Sequence, residues 1–235
     1  MGIFSRIAEV MAGGAGRVGA AVSGLRAVLA GLTRSREHRG VTFTIAVIAL
    51  SAKMAKADGV VMRSEVDAFC SLFAIPPGEE KNVARVYNLA KQEVAGFEAY
   101  AGDVKRLLSD EPDLLEAVLD GLFEIAKADG AVHEREVAYL GRVAELFGFD
   151  ADAFAHIRAR HLIEEGGDPY LVLEADPSWD YRRLQQQYRR LVTENHPDRM
   201  IARGVPEEFV RIANDRLAAI NTAWERIERR RARAS

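Results

Sequence analysis

Residues 181–200 read YRRLQQQYRRLVTENHPDRM, and this stretch decides the architecture of the C-terminal part of the chain. Its apolar residues recur at the spacing of one helix face, at Tyr181, Leu184, Tyr188 and Leu191. The tripeptide His-Pro-Asp follows at 196–198, and a second helical pattern runs from about Pro206 to Arg230, past a loop that contains glycine and proline. The stretch therefore predicts two antiparallel helices joined by a loop that starts at His-Pro-Asp.

A His-Pro-Asp (HPD) loop between two antiparallel helices resembles the J domain of the DnaJ co-chaperone family. The sequence DPYLVL at 168–173 resembles the short first helix of that domain, and INTAW at 220–224 resembles the end of its third helix. The resemblance covers Asp168 to about Arg230 and rests on several motifs in the same order.

This resemblance implies a function. In J domains the HPD loop presses on a DnaK-type chaperone and stimulates ATP hydrolysis by that partner, while the J domain itself performs no chemistry. We therefore expect a co-chaperone that is not an enzyme and needs no cofactor. Pro197 disfavours helix in the residue before it, so the loop should project. Asp198 offers a carboxylate for a partner arginine, and His196 offers one donor and one acceptor.

The helix before the loop carries a second candidate surface. Arg182 and Arg189 are seven residues apart, as are Arg183 and Arg190, so they form rows away from the apolar stripe. In J domains this basic face docks on the acidic surface of the DnaK partner. The predicted partner-binding residues are His196, Pro197, Asp198, Arg182, Arg183, Arg189, Arg190 and Arg199.

Three positions of this helix depart from the family's usual pattern. Gln187 stands where an alanine is usual, Glu194 where a lysine is common, and Asn195 where an aromatic residue is common. Further upstream, His156 and His161 flank a basic helix end and have no cysteine at ligand spacing. These histidines are therefore not predicted to bind a metal.

Composition restricts the class of protein. The chain has 235 residues, 49% hydrophobic and 29% charged, which is ordinary for a globular protein. Its single cysteine, Cys70, allows no internal disulfide and favours a reducing, cytoplasmic setting. The net charges of residues 1–39, 40–167 and 168–235 are +4, −9 and +2. The acidic middle segment argues against nucleic acid as a partner.

The middle segment, residues 41–162, is helical throughout and contains an internal repeat. AKADG at 55–59 recurs at 126–130, and the match continues at a constant offset of 71 residues. This signature resembles the tellurite-resistance TerB family, and a TerB-like domain followed by a J domain is the arrangement of DjlA-type co-chaperones. The expected fold is all-α, with a segment at 1–40, a TerB-like bundle at 41–162 and a J domain at 168–235.

Each copy of the repeat contains an acidic pair with the spacing of half an EF-hand, but the preceding positions lack oxygen ligands, which excludes that calcium loop. Two hypotheses remain: the four acids meet at a divalent cation, or they stabilise helix ends, which we favour. The first would make the protein a metal-binding acidic sensor or adaptor whose J-like end is only a protein contact. The four residues are Asp58, Glu65, Asp129 and Glu136.

Residues 1–33 are basic and rich in glycine and alanine. Charged residues interrupt every apolar run, so no stretch reaches the roughly 18–20 residues that span a bilayer, and a cleavable signal peptide is not expected. The glycines favour a flexible, partly helical tail. The alternative is a basic amphipathic segment that makes a peripheral contact with the inner membrane.

Overall fold

The computed structural model describes residues 25–57, 77–92, 96–127, 132–164 and 166–234, together with Ile3, Ile7, Cys70 and Ile75. These residues form helices and connecting turns without a strand, which confirms the all-α fold. We number the described helices α1 Leu25–Gly31, α2 Arg36–Ala57, α3 Glu80–Gln92, α4 Phe97–Leu108, α5 Pro112–Lys127, α6 Glu134–Phe147, α7 Ala151–His161, α8 Pro169–Val172, α9 Tyr181–Glu194, α10 Pro197–Arg203 and α11 Val210–Ala234; a 3-10 turn at Glu207–Phe209 precedes α11. None of these helices is long and apolar enough to cross a membrane.

Helix α5 is the central helix of the molecule. It begins with Pro112 in its first turn, where the missing N–H has no helical partner to lose. Almost every residue from Leu114 to Ala126 is buried, because α2, α6, α7 and α11 all pack against this helix. Gly121 permits the close approach of α11, since a Cβ atom there would lie only 3.0 Å from Ile212 Cδ1.

The described part of the N-terminal segment lies in the core. Ile3 and Ile7 are buried, and so are Leu25 and Leu29 of α1, while Arg26 of α1 pairs with Asp103 of α4 at 2.7 Å. The expectation of a flexible tail is therefore wrong for these residues, because their apolar side chains join the hydrophobic cluster of the bundle. The same burial removes these side chains from any lipid surface.

Helices α8, α9 and α11 form a second, smaller core. Leu184 and Leu191 of α9 are buried against the face of α11 that carries Ala223, Trp224 and Ile227. The Tyr188 ring stacks on Trp224, with ring centroids 4.9 Å apart. The helical pair expected on either side of the HPD tripeptide is thus present, and its apolar stripe faces inward.

The segment that follows the HPD tripeptide connects the two cores. Met200 of α10 and Phe209, the last residue of the 3-10 turn before α11, are completely buried, and both belong to the first cluster. Phe209 packs edge-on against Phe43 of α2, with ring centroids 5.2 Å apart. On the other side, Ala159 at the end of α7 belongs to the second cluster. The C-terminal helices therefore bury apolar surface in both cores.

The candidate partner-binding turn

The HPD tripeptide lies at the sharp turn between α9 and α10. His196 is the N-cap of α10, and its Nδ1 accepts a hydrogen bond of 3.2 Å from the Asp198 N–H. Pro197 occupies the first helical position, where its fixed φ favours a helix start. The side chains of His196 and Asp198 are 52% and 87% exposed. Both polar groups are accessible on the surface.

This turn differs from the sequence expectation in one respect. The projecting loop was expected to extend to about Pro206, whereas residues 197–203 form helix α10. Proline disfavours helix in the residue before it but not in the residues after it, so the tripeptide begins a helix. Gly204 ends α10 with φ +123°, a conformation that side chains other than glycine rarely adopt.

The predicted basic face of α9 is exposed along its length. Arg183 stacks over the Trp179 ring at 3.8 Å, and Arg190 pairs with Glu194 at 3.2 Å. Among the described residues, no carboxylate lies within ion-pairing distance of Arg182 or Arg189. These two guanidinium groups therefore extend toward solvent.

The remaining predicted arginine lies beside the turn. Arg199 is exposed on α10, and its Nη1 donates a hydrogen bond of 3.2 Å to the Thr193 carbonyl at the end of α9. This bond joins the helices on the two sides of the turn. The charge of Arg199 thus lies close to His196 and Asp198.

Each of the three unusual residues of α9 has a defined contact. Gln187 donates a hydrogen bond of 2.9 Å to the Leu173 carbonyl, which ties α9 to the end of α8. Glu194 is the partner of Arg190 described above. Asn195 is the C-cap residue of α9; its Nδ2 donates to the Leu191 carbonyl at 2.8 Å, and its Oδ1 accepts from Arg216 of α11 at 3.0 Å.

A buried ionic cluster lies behind the turn. Its acids, Glu116, Asp120 and Glu124, follow one another at four-residue intervals on α5. Asp120 is the centre: its side chain is 2% exposed and lies within hydrogen-bonding distance of Arg216, Arg160 and His161. The distances from Asp120 are 2.6 Å to Arg216 Nε, 3.2 Å to Arg160 Nη2 and 2.9 Å to His161 Nε2. The cluster therefore joins α5, α7 and α11.

Neighbouring groups complete the cluster. Arg160 also bonds Glu116, and Arg216 lies 3.5 Å from the same carboxylate. His161 Nδ1 lies 3.1 Å from Glu124, and its ring stacks on Phe123 with centroids 4.5 Å apart. An ionised carboxylate can only accept hydrogen bonds. Each of these buried acids is therefore stabilised by the cationic or hydrogen-bond-donating group that it faces.

The electrostatics of the cluster keep its acids ionised. Burial alone would raise the pKa of Asp120, but the guanidinium groups of Arg216 and Arg160 outweigh burial and hold that pKa well below its usual range. Burial also acts on Glu124, yet hydrogen bonds from His161 and Lys127 lower its pKa to about 2. The contacts between the helices are thus ion pairs in a poorly solvated environment.

Sequence reasoning did not find this cluster. The acids on α5 interrupt an apolar helix at four-residue intervals, a visible signal that one helix face buries charge. Their partners, however, are remote in sequence: His161 is 41 residues from Asp120, and Arg216 is 96 residues away. The sequence pattern assigns His161 no role, whereas α5 supplies two carboxylates to its ring, Asp120 and Glu124, through tertiary packing.

Of the four candidate metal ligands, Asp58, Glu65 and Asp129 lie outside the described residues. Glu136 is described, in the first turn of α6. Its Oε2 accepts a hydrogen bond of 2.8 Å from the backbone N–H of His133, the N-cap residue of this helix. This contact satisfies a donor at the helix N-terminus, where a negative charge is also favourable.

The Glu136 contact leads to a prediction. Substituting Glu136→Ala should lower the free energy of unfolding by about 0.5–2 kcal/mol, the usual range for a lost helix cap. Divalent metal should leave the melting temperature of the wild type unchanged. Thermal unfolding with and without Mg²⁺, Ca²⁺ or Zn²⁺ measures both quantities. A metal-induced rise in melting temperature that disappears in Glu136→Ala would instead favour a metal site.

Comparison with known proteins is consistent with this arrangement. Residues 44–159 match the family model of the tellurite resistance protein TerB. The chain is 25% identical to the co-chaperone protein DjlA of Vibrio parahaemolyticus, over 83% of this chain and 80% of the relative. It is also 25% identical to the DjlA proteins of Legionella pneumophila and Coxiella burnetii, over 79% and 75% of this chain and 75% and 73% of those relatives. No solved structure matches the chain.

The similarity to these relatives extends over roughly three quarters to four fifths of both chains, so it includes more than the TerB match alone. The HPD tripeptide lies outside that match, between two helices that share their own apolar core. The chain is therefore DjlA-like: it is similar to these co-chaperones over most of its length, and its residues 44–159 match the TerB family.

Proposed function

We propose that this protein recruits a DnaK-type chaperone and stimulates its ATP hydrolysis through the HPD turn. The observation that carries the proposal is the exposure of His196 and Asp198 at the end of a helix with a basic outer face. An exposed carboxylate and imidazole on a rigid turn offer directional contacts to a partner. Hydrolysis takes place in the partner, so this chain supplies binding and no reacting group.

The basic face of α9 supports the same proposal through electrostatics. Arg182 and Arg189 lie about two helical turns apart and extend into solvent, and each is followed in the sequence by a second exposed arginine, Arg183 and Arg190. An exposed row of one charge accelerates association with a surface of the opposite charge. We therefore assign the docking step to this face and the activating contact to the HPD turn. We propose a cytoplasmic location, because a DnaK-type partner and a single cysteine both favour it.

The decisive test is single-turnover ATP hydrolysis by the cognate DnaK-type chaperone with and without this protein. Wild-type protein should stimulate hydrolysis, and His196→Gln or Asp198→Asn should abolish the stimulation. Because both side chains are largely exposed, their loss should cost no more than a lost helix cap, about 0.5–2 kcal/mol, and leave the fold intact. Full stimulation by a folded Asp198→Asn protein would contradict the proposed function.

The docking face gives a separate prediction. Reversing Arg182 and Arg189 to glutamate should raise the protein concentration needed for half-maximal stimulation and slow association with the partner. Stimulation by the wild type should weaken as salt rises, because exposed charges are screened over about 8–10 Å. Reversing Arg229 and Arg230, exposed on α11, changes net charge equally and is the matched control. Equal effects of the two double variants would contradict specific docking through α9.

A further inference from the structure

We propose that the TerB domain holds the HPD turn in its active position through Arg216, which bonds Asp120 in that domain and Asn195 next to the turn. The proposal rests on the proposed function and concerns how the turn is positioned. Arg216 is a positioning residue: its side chain is only 3% exposed, so it cannot touch a partner. Its effect must reach the surface through Asn195.

The first step is the attachment of Arg216 to the TerB domain. Its Nε donates to Asp120 Oδ2 at 2.6 Å, and its Nη2 faces the same oxygen. A buried guanidinium without its carboxylate is very unfavourable, so this pair fixes the position of Arg216 relative to α5. The planar guanidinium then has a defined orientation, and its Nη1 points away from Asp120.

The second step is the bond to the turn. Arg216 Nη1 donates to Asn195 Oδ1 at 3.0 Å, and Asn195 immediately precedes His196. Asn195 also donates through Nδ2 to the Leu191 carbonyl, which closes the last turn of α9. One side chain therefore connects the end of α9 to the buried cluster. An aromatic residue, common here in related J domains, offers no amide oxygen for such a bond.

The other end of the turn is also attached to the TerB domain. Met200, two residues after Asp198, is completely buried in the core of that domain. Arg203 pairs with Asp113 in the first turn of α5, and Arg36, on α2 just before that domain, donates to the Ala202 carbonyl at 3.2 Å. The backbone is thus held on both sides of an exposed His196 and Asp198.

These contacts have a functional consequence. A turn that is already ordered pays little conformational entropy when a partner binds, so its contacts contribute fully to activation. Releasing Asn195 leaves the basic docking face on α9 unchanged but lets the turn move. Loss of this bond should therefore reduce maximal stimulation and leave the half-saturating concentration close to that of the wild type.

The test compares substitutions of two asparagines in the full-length protein. Asn195→Ala removes the bond to Arg216, whereas Asn195→Asp keeps an oxygen acceptor for it. Asn221→Ala is the matched control, because Asn221 also joins α9 to α11, through a 3.1 Å bond with Tyr188, but does not reach the TerB domain. The measurements are single-turnover ATP hydrolysis across protein concentrations and hydrogen exchange of the amides at 197–203.

We expect Asn195→Ala to lower maximal stimulation about tenfold, the change that corresponds to one charge-assisted hydrogen bond. It should also speed amide exchange at 197–203. Asn195→Asp and Asn221→Ala should remain within about twofold of the wild type, well below that change. Wild-type stimulation by Asn195→Ala, equal losses in both alanine variants, or no recovery in Asn195→Asp would each overturn the proposal.

Two further outcomes are distinguishable. If the wild-type protein does not stimulate hydrolysis, the proposed function fails. If the wild type stimulates hydrolysis and Asp198→Asn does not, the proposed function holds, and the Asn195 variants then test the positioning role alone. If Asn195→Ala does not fold, Arg216→Lys replaces it, because a single ammonium keeps the charge beside Asp120 but lacks the guanidinium's second arm toward Asn195. Full stimulation by a folded Arg216→Lys protein would then overturn the proposal.

Discussion

Replacing Asp120 with asparagine should lower the free energy of unfolding by about 3–5 kcal/mol, the cost of breaking a buried ion pair from one side. The substitution leaves the side chains of Arg216 and Arg160, which are 3% and 6% exposed, without their shared carboxylate. An amide accepts fewer hydrogen bonds than a carboxylate and carries no compensating charge. Urea unfolding followed by circular dichroism at neutral pH measures the loss.

The control for this prediction is an exposed pair on α6. Arg142 and Glu145 lie 2.6 Å apart, but their side chains are 55% and 64% exposed. Substituting Glu145→Gln should therefore cost no more than about 1 kcal/mol. If Asp120→Asn and Glu145→Gln lower stability equally, the cluster does not make the buried contacts described above.

Acid should weaken the wild-type protein through the same group. The pKa of Asp120 is lowered in the folded state, so the stability from its ionisation is present above its ordinary pKa of 3.8. That contribution is lost progressively as the pH falls below this value, toward the folded-state pKa. The slope of unfolding free energy against pH below about pH 5 should be smaller in Asp120→Asn.

The helical faces could be predicted because they depend on local spacing. Leu184 and Leu191, seven residues apart, are buried on α9, while Arg182 and Arg189 are exposed on it. A helix turns once in 3.6 residues, so such spacing assigns residues to faces without knowledge of their partners. The structure confirms the all-α class, and the comparisons confirm the resemblance to DjlA that the motifs indicated.

Contacts between distant segments could not be predicted in the same way. In the sequence, Arg216 is one of many arginines on a polar helix, and its role depends on an acid 96 residues earlier. Ile3 and Ile7 resembled part of a glycine-rich tail, yet the core accommodates them. Neither relation follows from periodicity, because hydrophobic burial and ion pairing depend on the tertiary arrangement.

Helix α10 is a further feature that could not be predicted from local sequence. Pro197 and the glycine and proline residues after it indicated an irregular loop, and local propensity alone supports that interpretation. The structure instead places a two-turn helix there, with Met200 buried in the TerB domain. Burial of one apolar side chain and the favourable proline position at the helix start together outweigh a weak local preference.

The shared core also makes a prediction about cooperativity. Phe209 is completely buried against Phe43, and substituting Phe209→Ala should lower the free energy of unfolding by about 3–5 kcal/mol. Phe209 belongs to the first core, whereas both tryptophans of the chain, Trp179 and Trp224, pack in or against the second. Tryptophan fluorescence therefore reports on a core that the substitution does not touch.

If α10 and α11 join the two cores into one cooperative unit, Phe209→Ala should shift the urea midpoints of fluorescence and circular dichroism by the same amount. Leu171→Ala is the matched control: Leu171 is 42% exposed on α8, so its truncation should change stability by no more than about 0.5 kcal/mol. A fluorescence midpoint that stays at the wild-type value in Phe209→Ala would show that the second core unfolds independently. Coincident shifts would instead mean that damage in the first core reaches the HPD turn through shared packing, since Met200, two residues after the tripeptide, and Phe209 both belong to that core.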